Sequence, residues 1–564
     1  MWHFYNRFLG CLKPAGFDRT WGESHSLPKQ YTTKTLSDSP LAIGTVSAPS
    51  PGLAAVVFKN IGANLARVAA ISAVALLLPS FLTHHLPVTV YAAWVLIVQL
   101  GAYVSYFDLG IQTGVAKFVA EYDAKGQLSE AGRYASAGLV LMLLTGLLGV
   151  ALTMGLAVET PRLFSAMPAN LVPQVRTGLV LVGVSLCVGL VCSVYSAVFI
   201  GLQRYWIPTL ITILNRILFG LVILIAVEEG GNLSVMGLAV ALVNVFTGLL
   251  QIALWRRYAP HVSLSIRFVQ FQILKKVARY CSLQSISTIA MFCITGLDIA
   301  IVGHFDYVQT AYYSIATLPT SFLLLTIASL LNPFMPASSA LSTRLLPSQM
   351  GGLLERITRY HTVALFLTGL PIVVFAFPLL RIWVGPDYAY HTARYLQVLV
   401  LANIVRNLCA PYATMVTATG TQKSALAAAF SEGLVNLAAS LYLASRFGAI
   451  GVAIGTAIGS FVSVLVHFAV SMRLTQRVIS ISRDRLLLRG ILGPCVVCLP
   501  SFFLIRHWWL ATNLSMSASV SVLWALGTLL PAYYCLNRKE RQDLVRLILP
   551  FRHGYGDSSF SRSS

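Results

Sequence analysis

Apolar runs of about twenty residues recur from position 61 onward, separated by short polar connections. A helix rises 1.5 Å per residue, so about 20 apolar residues span a hydrocarbon core of about 30 Å. On that criterion the pattern predicts fourteen transmembrane helices, over 61–82, 89–107, 133–156, 177–199, 207–227, 232–254, 281–303, 310–335, 361–380, 395–417, 424–445, 449–472, 489–508 and 515–536. The expected fold class is therefore an all-α polytopic membrane protein. An even number of spans puts both termini on one side. Residues 1–58 are polar and rich in Ser, Thr and Pro, without the apolar core and small-residue cleavage site of a signal peptide. They read as a disordered cytoplasmic extension, with a misassigned start codon as the alternative for part of it.

One span is interrupted by charge and has a counterpart. Gly201-Leu-Gln203-Arg204 opens a helix that carries Asn215 and Arg216 near its middle. Gly420-Thr-Gln422-Lys423, 219 positions later, opens another that carries Glu432. Gly237-Leu-Ala-Val follows the first and Gly451-Val-Ala-Ile the second, so spans five and six correspond to spans eleven and twelve. The expectation is two six-helix lobes, related by a pseudo-twofold along the membrane normal, with a binding site between them. The domains are then 1–58, a first lobe over 59–256, a second over 257–475, two appended helices over 476–536 and a cytoplasmic tail over 537–564.

Composition strengthens the membrane reading. The chain is 57% hydrophobic and only 10% charged, against roughly 25% charged in soluble domains. Its net charge of +21 suggests nucleic acid, yet the cations follow topology. With the N-terminus in the cytoplasm, and with Arg133, Arg489 and Arg506 near span ends counted with the adjoining loops, 31 of the 40 Lys and Arg fall inside, 6 outside and 3 within spans. That is the positive-inside pattern, and the clusters also suit anionic lipid; no nucleic-acid partner is expected. Cys187, Cys192, Cys293 and Cys409 lie in apolar runs and read as packing groups. The Cys495-x-x-Cys498 pair, flanked by Pro494 and Pro500, reads the same way rather than as a metal or redox site. The longest loops hold about 25 residues, and no phosphate-binding GxxxxGK[ST] loop occurs. No catalytic domain, cofactor or metal is expected, and the chain does not read as an enzyme.

Polar residues inside the spans carry the candidate chemistry. An arginine at the centre of a membrane helix costs roughly 2.5–3.5 kcal/mol on insertion scales, so it should face a partner or water. Asn403, Arg406, Asn407 and Pro411 fall on one face of span ten; Gln284, Thr288, Met291, Thr295 and Asp298 on one face of span seven. Glu432, Asn436 and Ser440 stack in span eleven, Thr212 and Arg216 in span five, Asn64 and Arg67 in span one. Two arrangements satisfy these charges. Arg216 or Arg406 pairs with Glu432 or Asp298 in a closed ion pair that fixes helix packing, or the arginines line a hydrated cationic cavity between the lobes. Candidate substrate-binding residues are Arg216, Arg406, Arg67, Asn215, Asn403 and Asn407; candidate ion-coupling residues are Asp298 and Glu432. Gly451, Gly455 and Gly459 recur every four residues, which suits close helix packing. Pro208, Pro319 and Pro371 fit kinks or hinges, and His467 fits either a packed histidine or a proton site.

Several stretches are familiar. Tyr91-Ala-Ala-Trp94, Tyr106-Phe-Asp108-Leu-Gly110, Val115-Ala-Lys117-Phe118 with Ala120-Glu121, Gly201-Leu-Gln203-Arg204, Leu380-Arg-Ile-Trp383-Val-Gly385 and Gly448-Ala-Ile-Gly451-Val-Ala-Ile-Gly455 occur in that order. Over residues 57–475 the chain resembles the Wzx-type O-antigen and exopolysaccharide flippases of the multidrug/oligosaccharidyl-lipid/polysaccharide exporter superfamily. The resemblance implies two six-helix lobes, alternating access, and a polyprenyl-diphosphate-linked oligosaccharide moved from the cytoplasmic to the periplasmic leaflet of the bacterial inner membrane. It also implies membrane lipid, a proton or sodium ion, and other polysaccharide-assembly membrane proteins as partners. The long N-terminal extension departs from the family pattern, and no ligand-contacting residue is carried over by alignment. The rival readings are a cation-coupled small-molecule (multidrug) exporter on the same architecture and a membrane-embedded polysaccharide polymerase. Surplus arginine argues against the first and short outer loops against the second.

Overall fold

In a computed structural model, residues 71–496 are described, apart from 266, 268 and 333. Among them every regular element is helical. The first half of the chain comprises α1 (Ile71–His85), α2 (Val88–Ala102, continued by a 3-10 turn over Tyr103–Asp108), α3 (Ile111–Ala124), α4 (Leu128–Leu163), α5 (Val172–Gly201), α6 (Trp206–Glu228) and α7 (Leu233–Tyr258). The second half comprises α8 (Phe271–Met291), α9 (Asp298–Phe305), α10 (Gln309–Leu331), α11 (Phe334–Ser342), α12 (Pro347–Val374), α13 (Ala376–Val384), α14 (Pro386–Asn407), α15 (Ala410–Ala418), α16 (Lys423–Phe447), α17 (Ala449–Val466) and α18 (Met472–Thr475).

Ten of the described helices are long and apolar enough to cross a membrane, or up to eleven if the bent pair α14 and α15 is one span. The protein is thus all-α and polytopic, and expected spans two to twelve each overlap a helix. The first, 61–82, overlaps α1 over its described part. Expected span 515–536, most of 489–508, the N-terminal extension and the tail lie outside the described residues, as does Arg67. Several helices outrun the apolar run that predicts them. α4 has 36 residues, about 54 Å at 1.5 Å per residue, because polar turns before 133 and after 156 continue the helix beyond the hydropathy signal at both ends.

Apolar packing joins the halves. One core runs from Tyr91, Trp94 and Ile97 of α2 through Tyr313 and Ile315 of α10 to Leu365, Leu396 and Val452. A second lies around Val115, Phe118 and Val119 of α3 and takes in Val277 and Cys281 of α8. The small-residue stripe of α17 does what its spacing predicts. A Cβ on Gly455 would lie 2.6 Å from the Ser440 nitrogen, and one on Gly459 2.7 Å from the Asn436 Cβ, so α16 and α17 touch backbone to backbone.

The two polar turns are alike in geometry but not in register. In the first, Gln203 is left-handed (φ 59), Gln203 N–H donates to Ile200 O and Arg204 N–H to Phe199 O. In the second, Gly420 is left-handed (φ 75), and the same two bonds run from Gly420 to Thr417 and from Thr421 to Val416. Both are Schellman caps. Their equivalent residues, Gln203 and Gly420, are 217 positions apart. The sequence match, spaced 219, is therefore two residues out of step with the backbone turns.

Candidate functional site

Three membrane helices of the second half break their α-helical ladder at the same place. The span begun by α8 passes through a π-helical segment, Phe292–Gly296, just before Asp298. α14 bends by 41° into α15, immediately after Arg406 and Asn407. α17 passes into a second π segment, His467–Ser471. Breaks of this kind free backbone carbonyls, and inside a membrane protein these need internal donors. The donors are side chains. Asn436 Nδ2 donates to Ile294 O at 2.6 Å, Gln99 Nε2 to Gly296 O at 2.9 Å, and His361 Nε2 lies 2.8 Å from Asn407 O.

Around these breaks lies a cavity of about 390 Å³. The polar stripes of spans seven, ten and eleven meet in it: Gln284 and Met291, Arg406 and Asn407, and Glu432 all line its wall, as does His467. Arg406 donates from Nε to Glu432 and from Nη1 to Asn403 Oδ1 at 3.0 Å. Its Nη2 has no hydrogen-bond partner among the described residues. Asn403 is itself buried and donates to Leu399 O at 2.9 Å, while Asn407 Nδ2 donates to Asn403 O at 2.8 Å. Asp298 is buried, accepts from Thr456 Oγ1 at 3.3 Å, and interacts electrostatically with Arg406. Asn436 and Ser440 continue the network, with Ser440 Oγ donating to Asn436 Oδ1 at 3.0 Å. The site thus brings together Arg406, Glu432, Asp298, Asn403 and Asn407.

Arg216 and Asn215 stand elsewhere. The cavity is walled by the second half alone, and Arg216 is not among its lining residues. The expectation of one chamber shared by Arg216 and Arg406 is not met by it. Arg216 is exposed and makes no hydrogen bond or ion pair among the described residues. Asn215 faces away into a polar knot of the first half, donating to Asn244 Oδ1 at 3.2 Å and Thr247 Oγ1 at 3.1 Å, while Asn244 donates to Ser185 Oγ at 3.0 Å. That role satisfies Asn215 within helix packing.

The sequence reading missed a second buried charge cluster. Glu355 accepts from Arg359 Nη2 at 2.9 Å and meets Arg485 Nε at 2.5 Å. Glu355 and Arg359 are an i, i+4 pair, a visible signal. They fall in a stretch read as a loop, whereas α12 already begins at Pro347. Cys187, Cys192 and Cys409 are buried and free, as packing groups should be. No group of three or more His, Cys, Asp or Glu able to hold a metal occurs among the described residues.

Neither a comparison with protein-family models nor one with curated proteins finds a match to the sequence. The fold does have solved counterparts. The chain is similar to the lipid II flippase MurJ in an inward closed conformation, with a TM-score of 0.67 and 14% identity over 86% of this chain and 100% of that one. It is similar to an inward-facing multidrug resistance MATE family transporter of the MOP superfamily, with a TM-score of 0.56 and 17% identity over 73% and 98%. A MOP superfamily transporter from Pyrococcus furiosus matches with a TM-score of 0.50 and 15% identity over 75% and 95%. The chain therefore has the fold of MOP-superfamily transporters.

Proposed function

We propose that this protein is a flippase that carries a polyprenyl-diphosphate-linked oligosaccharide from the cytoplasmic to the periplasmic leaflet by alternating access. The observation that carries this reading is the pair of mid-span arginines. Among the described residues Arg216 makes no hydrogen bond or ion pair, and Arg406 keeps one nitrogen without a hydrogen-bond partner beside a cavity. A guanidinium in that position seeks water or an anionic ligand. Diphosphate oxygens suit it, because charge-assisted hydrogen bonds to phosphate are among the strongest available. A hydrophilic glycan and a diphosphate cannot cross hydrocarbon alone, since leaving water without partners costs several kcal/mol per polar group. A fold shared with a lipid II flippase over that protein's full length supports the same reading.

Asp298 and Glu432 are the ion-coupling residues of this proposal. Both are buried in the second half, and Asp298 has a hydroxyl but no cation bonded to it among the described residues. Purified protein in proteoliposomes, supplied with fluorescent lipid-linked oligosaccharide on one leaflet, tests the reading. Flipping should occur and should be lost in Arg216→Ala and in Arg406→Ala, with membrane insertion unchanged. Protein that flips no lipid-linked oligosaccharide but exports organic cations would instead be a small-molecule exporter.

A further inference from the structure

Away from the cavity, the halves meet at the end of the bundle that carries the α3–α4, α5–α6 and α7–α8 connections. The contact there is a reciprocal exchange of lysines. Lys276, from α8 of the second half, donates to Tyr134 Oη of the first half at 2.9 Å. Its ammonium also lies 5.1 Å from the centre of the Tyr134 ring and 5.5 Å from that of Phe118. Lys117, from α3 of the first half, lies 4.1 Å from the centre of the Tyr280 ring of the second and 5.1 Å from Phe118. Phe118 and Tyr134 stack at 4.7 Å, and Tyr280 meets Phe118 edge-on at 5.6 Å. Each half therefore lends a cation to the rings of the other.

Both lysines are exposed, with Lys275 and Arg279 exposed beside Lys276 on α8. The nearby acids are largely committed. Glu121 is held by Lys125 at 2.7 Å and Glu130 by Arg133 at 2.6 Å. An ammonium has three donors. Lys276 uses one here, and Lys117 makes no hydrogen bond or ion pair among the described residues. The Tyr134 hydroxyl holds the Lys276 pKa above the ordinary lysine value, so the cation persists.

Magnitudes decide what this contact can do. A cation over a ring at an exposed site contributes about 0.5–1 kcal/mol. A hydrogen bond to a charged group contributes about 1.5–3 kcal/mol. A phosphate therefore outcompetes the rings that alone hold Lys117, and at Lys276 it matches the Tyr134 bond while displacing the ring contacts, whereas a neutral molecule does neither.

We propose that Lys117 and Lys276 form a docking site for a phosphate-bearing headgroup, and that its binding releases the contact between the halves at this end. The inference rests on the flippase reading for its substrate class, and adds where the headgroup is first met and what its arrival does. The aromatic rings hold the mouth shut only until a stronger anion claims the lysines.

The test uses the full chain in nanodiscs of phosphatidylcholine, with inorganic pyrophosphate as the probe. Hydrogen–deuterium exchange of the 111–124 and 271–282 amides reports the contact without any mutation. A second readout is the disulfide between Gly114→Cys and native Cys281, since a Cβ at 114 would lie 2.9 Å from the Cys281 sulfur. Pyrophosphate should raise exchange and cut disulfide yield several-fold relative to sodium chloride of equal ionic strength. Lys117→Gln/Lys276→Gln should lose both responses. Nanodiscs containing phosphatidylglycerol distinguish the source: a response there without pyrophosphate assigns the site to a lipid headgroup, and a response only to pyrophosphate assigns it to the diphosphate. No response to either anion, or an equal response in the double variant, overturns the proposal. Pyrophosphate-sensitive exchange in a protein that moves no lipid-linked oligosaccharide keeps the docking site and sinks the flippase. Flipping with exchange that ignores both anions sinks the docking site alone.

Discussion

Arg406 gives two of its nitrogens to Glu432 and Asn403, whereas Arg216 gives none to any described residue, and the two should respond differently to the same truncation. Arg406 and Glu432 are mostly buried, with side chains 15% and 5% exposed. Removing one member of a buried pair leaves an uncompensated charge and costs about 3–5 kcal/mol, while replacing both by apolar groups is often neutral. Arg406→Ala should therefore lower the unfolding temperature in detergent markedly, and Arg406→Leu/Glu432→Leu should recover most of the loss. An unchanged melting temperature in Arg406→Ala would mean that the pair holds nothing together. Arg216→Ala removes no bond to any described residue and relieves the cost of a mid-span cation, so it should not lower the unfolding temperature, yet should abolish flipping. The split between stability and transport separates a residue that builds the protein from one that serves only a ligand. Asn436→Ala is a third case. It strips Ile294 O of its donor, and a buried unsatisfied carbonyl costs about 1–3 kcal/mol.

At the scale of helices, close approach and broken ladders set the architecture. On α17 a valine at Gly455 would drive its Cβ into the Ser440 backbone. Overpacking of that kind typically costs about 1–3 kcal/mol, so Gly455→Val should destabilise the α16–α17 pair. Gly189 in α5 has nothing within 4 Å of its would-be Cβ, and Gly189→Ala should stabilise by about 0.5–1 kcal/mol through helix propensity alone. Thermal unfolding of both variants checks the contrast. Helix positions were legible in the sequence because twenty-residue apolar runs have few alternatives in a membrane. The polar faces of spans seven, ten and eleven were legible too, and they do converge. Their breaks were not, since Phe292–Gly296 and His467–Ser471 have compositions ordinary for an α-helix and differ only in which carbonyl each amide meets. The separation of Arg216 from Arg406 was equally hidden: periodicity says which face of a helix is polar, not which neighbour that face meets. Glu355 and Arg359 were overlooked because charge near a span end reads as a topology signal before it reads as a buried pair.

Across the whole molecule, the halves are tied at both ends and share an apolar core between. At one end Ser285 Oγ donates to Leu109 O at 3.1 Å beside the Lys117 and Lys276 exchange. At the other, Trp383 Nε1 donates to Leu76 O at 2.7 Å, Tyr307 Oη to Thr89 O at 2.7 Å, and His304 Nδ1 lies 2.5 Å from Leu163 O. Between them, α2 and α10 pack through residues with almost no exposure, such as Ile97 and Ile315. A well-packed apolar seam shears little, while a few hydrogen bonds and ring contacts at each end break easily. Motion should therefore rock about the α2–α10 seam, opening one end as the other stays shut. A single covalent tie at either end then suffices to stop the cycle. Gly114→Cys provides one with native Cys281, joining α3 to α8 across the halves. Under oxidant this variant should lose flipping in proportion to the disulfide formed, and regain it on reduction. Gly114→Ser should be indifferent to oxidant, which removes steric damage as an explanation. Fully crosslinked protein that still flips would mean that the substrate passes without this end opening, and rocking about the seam would have to be abandoned.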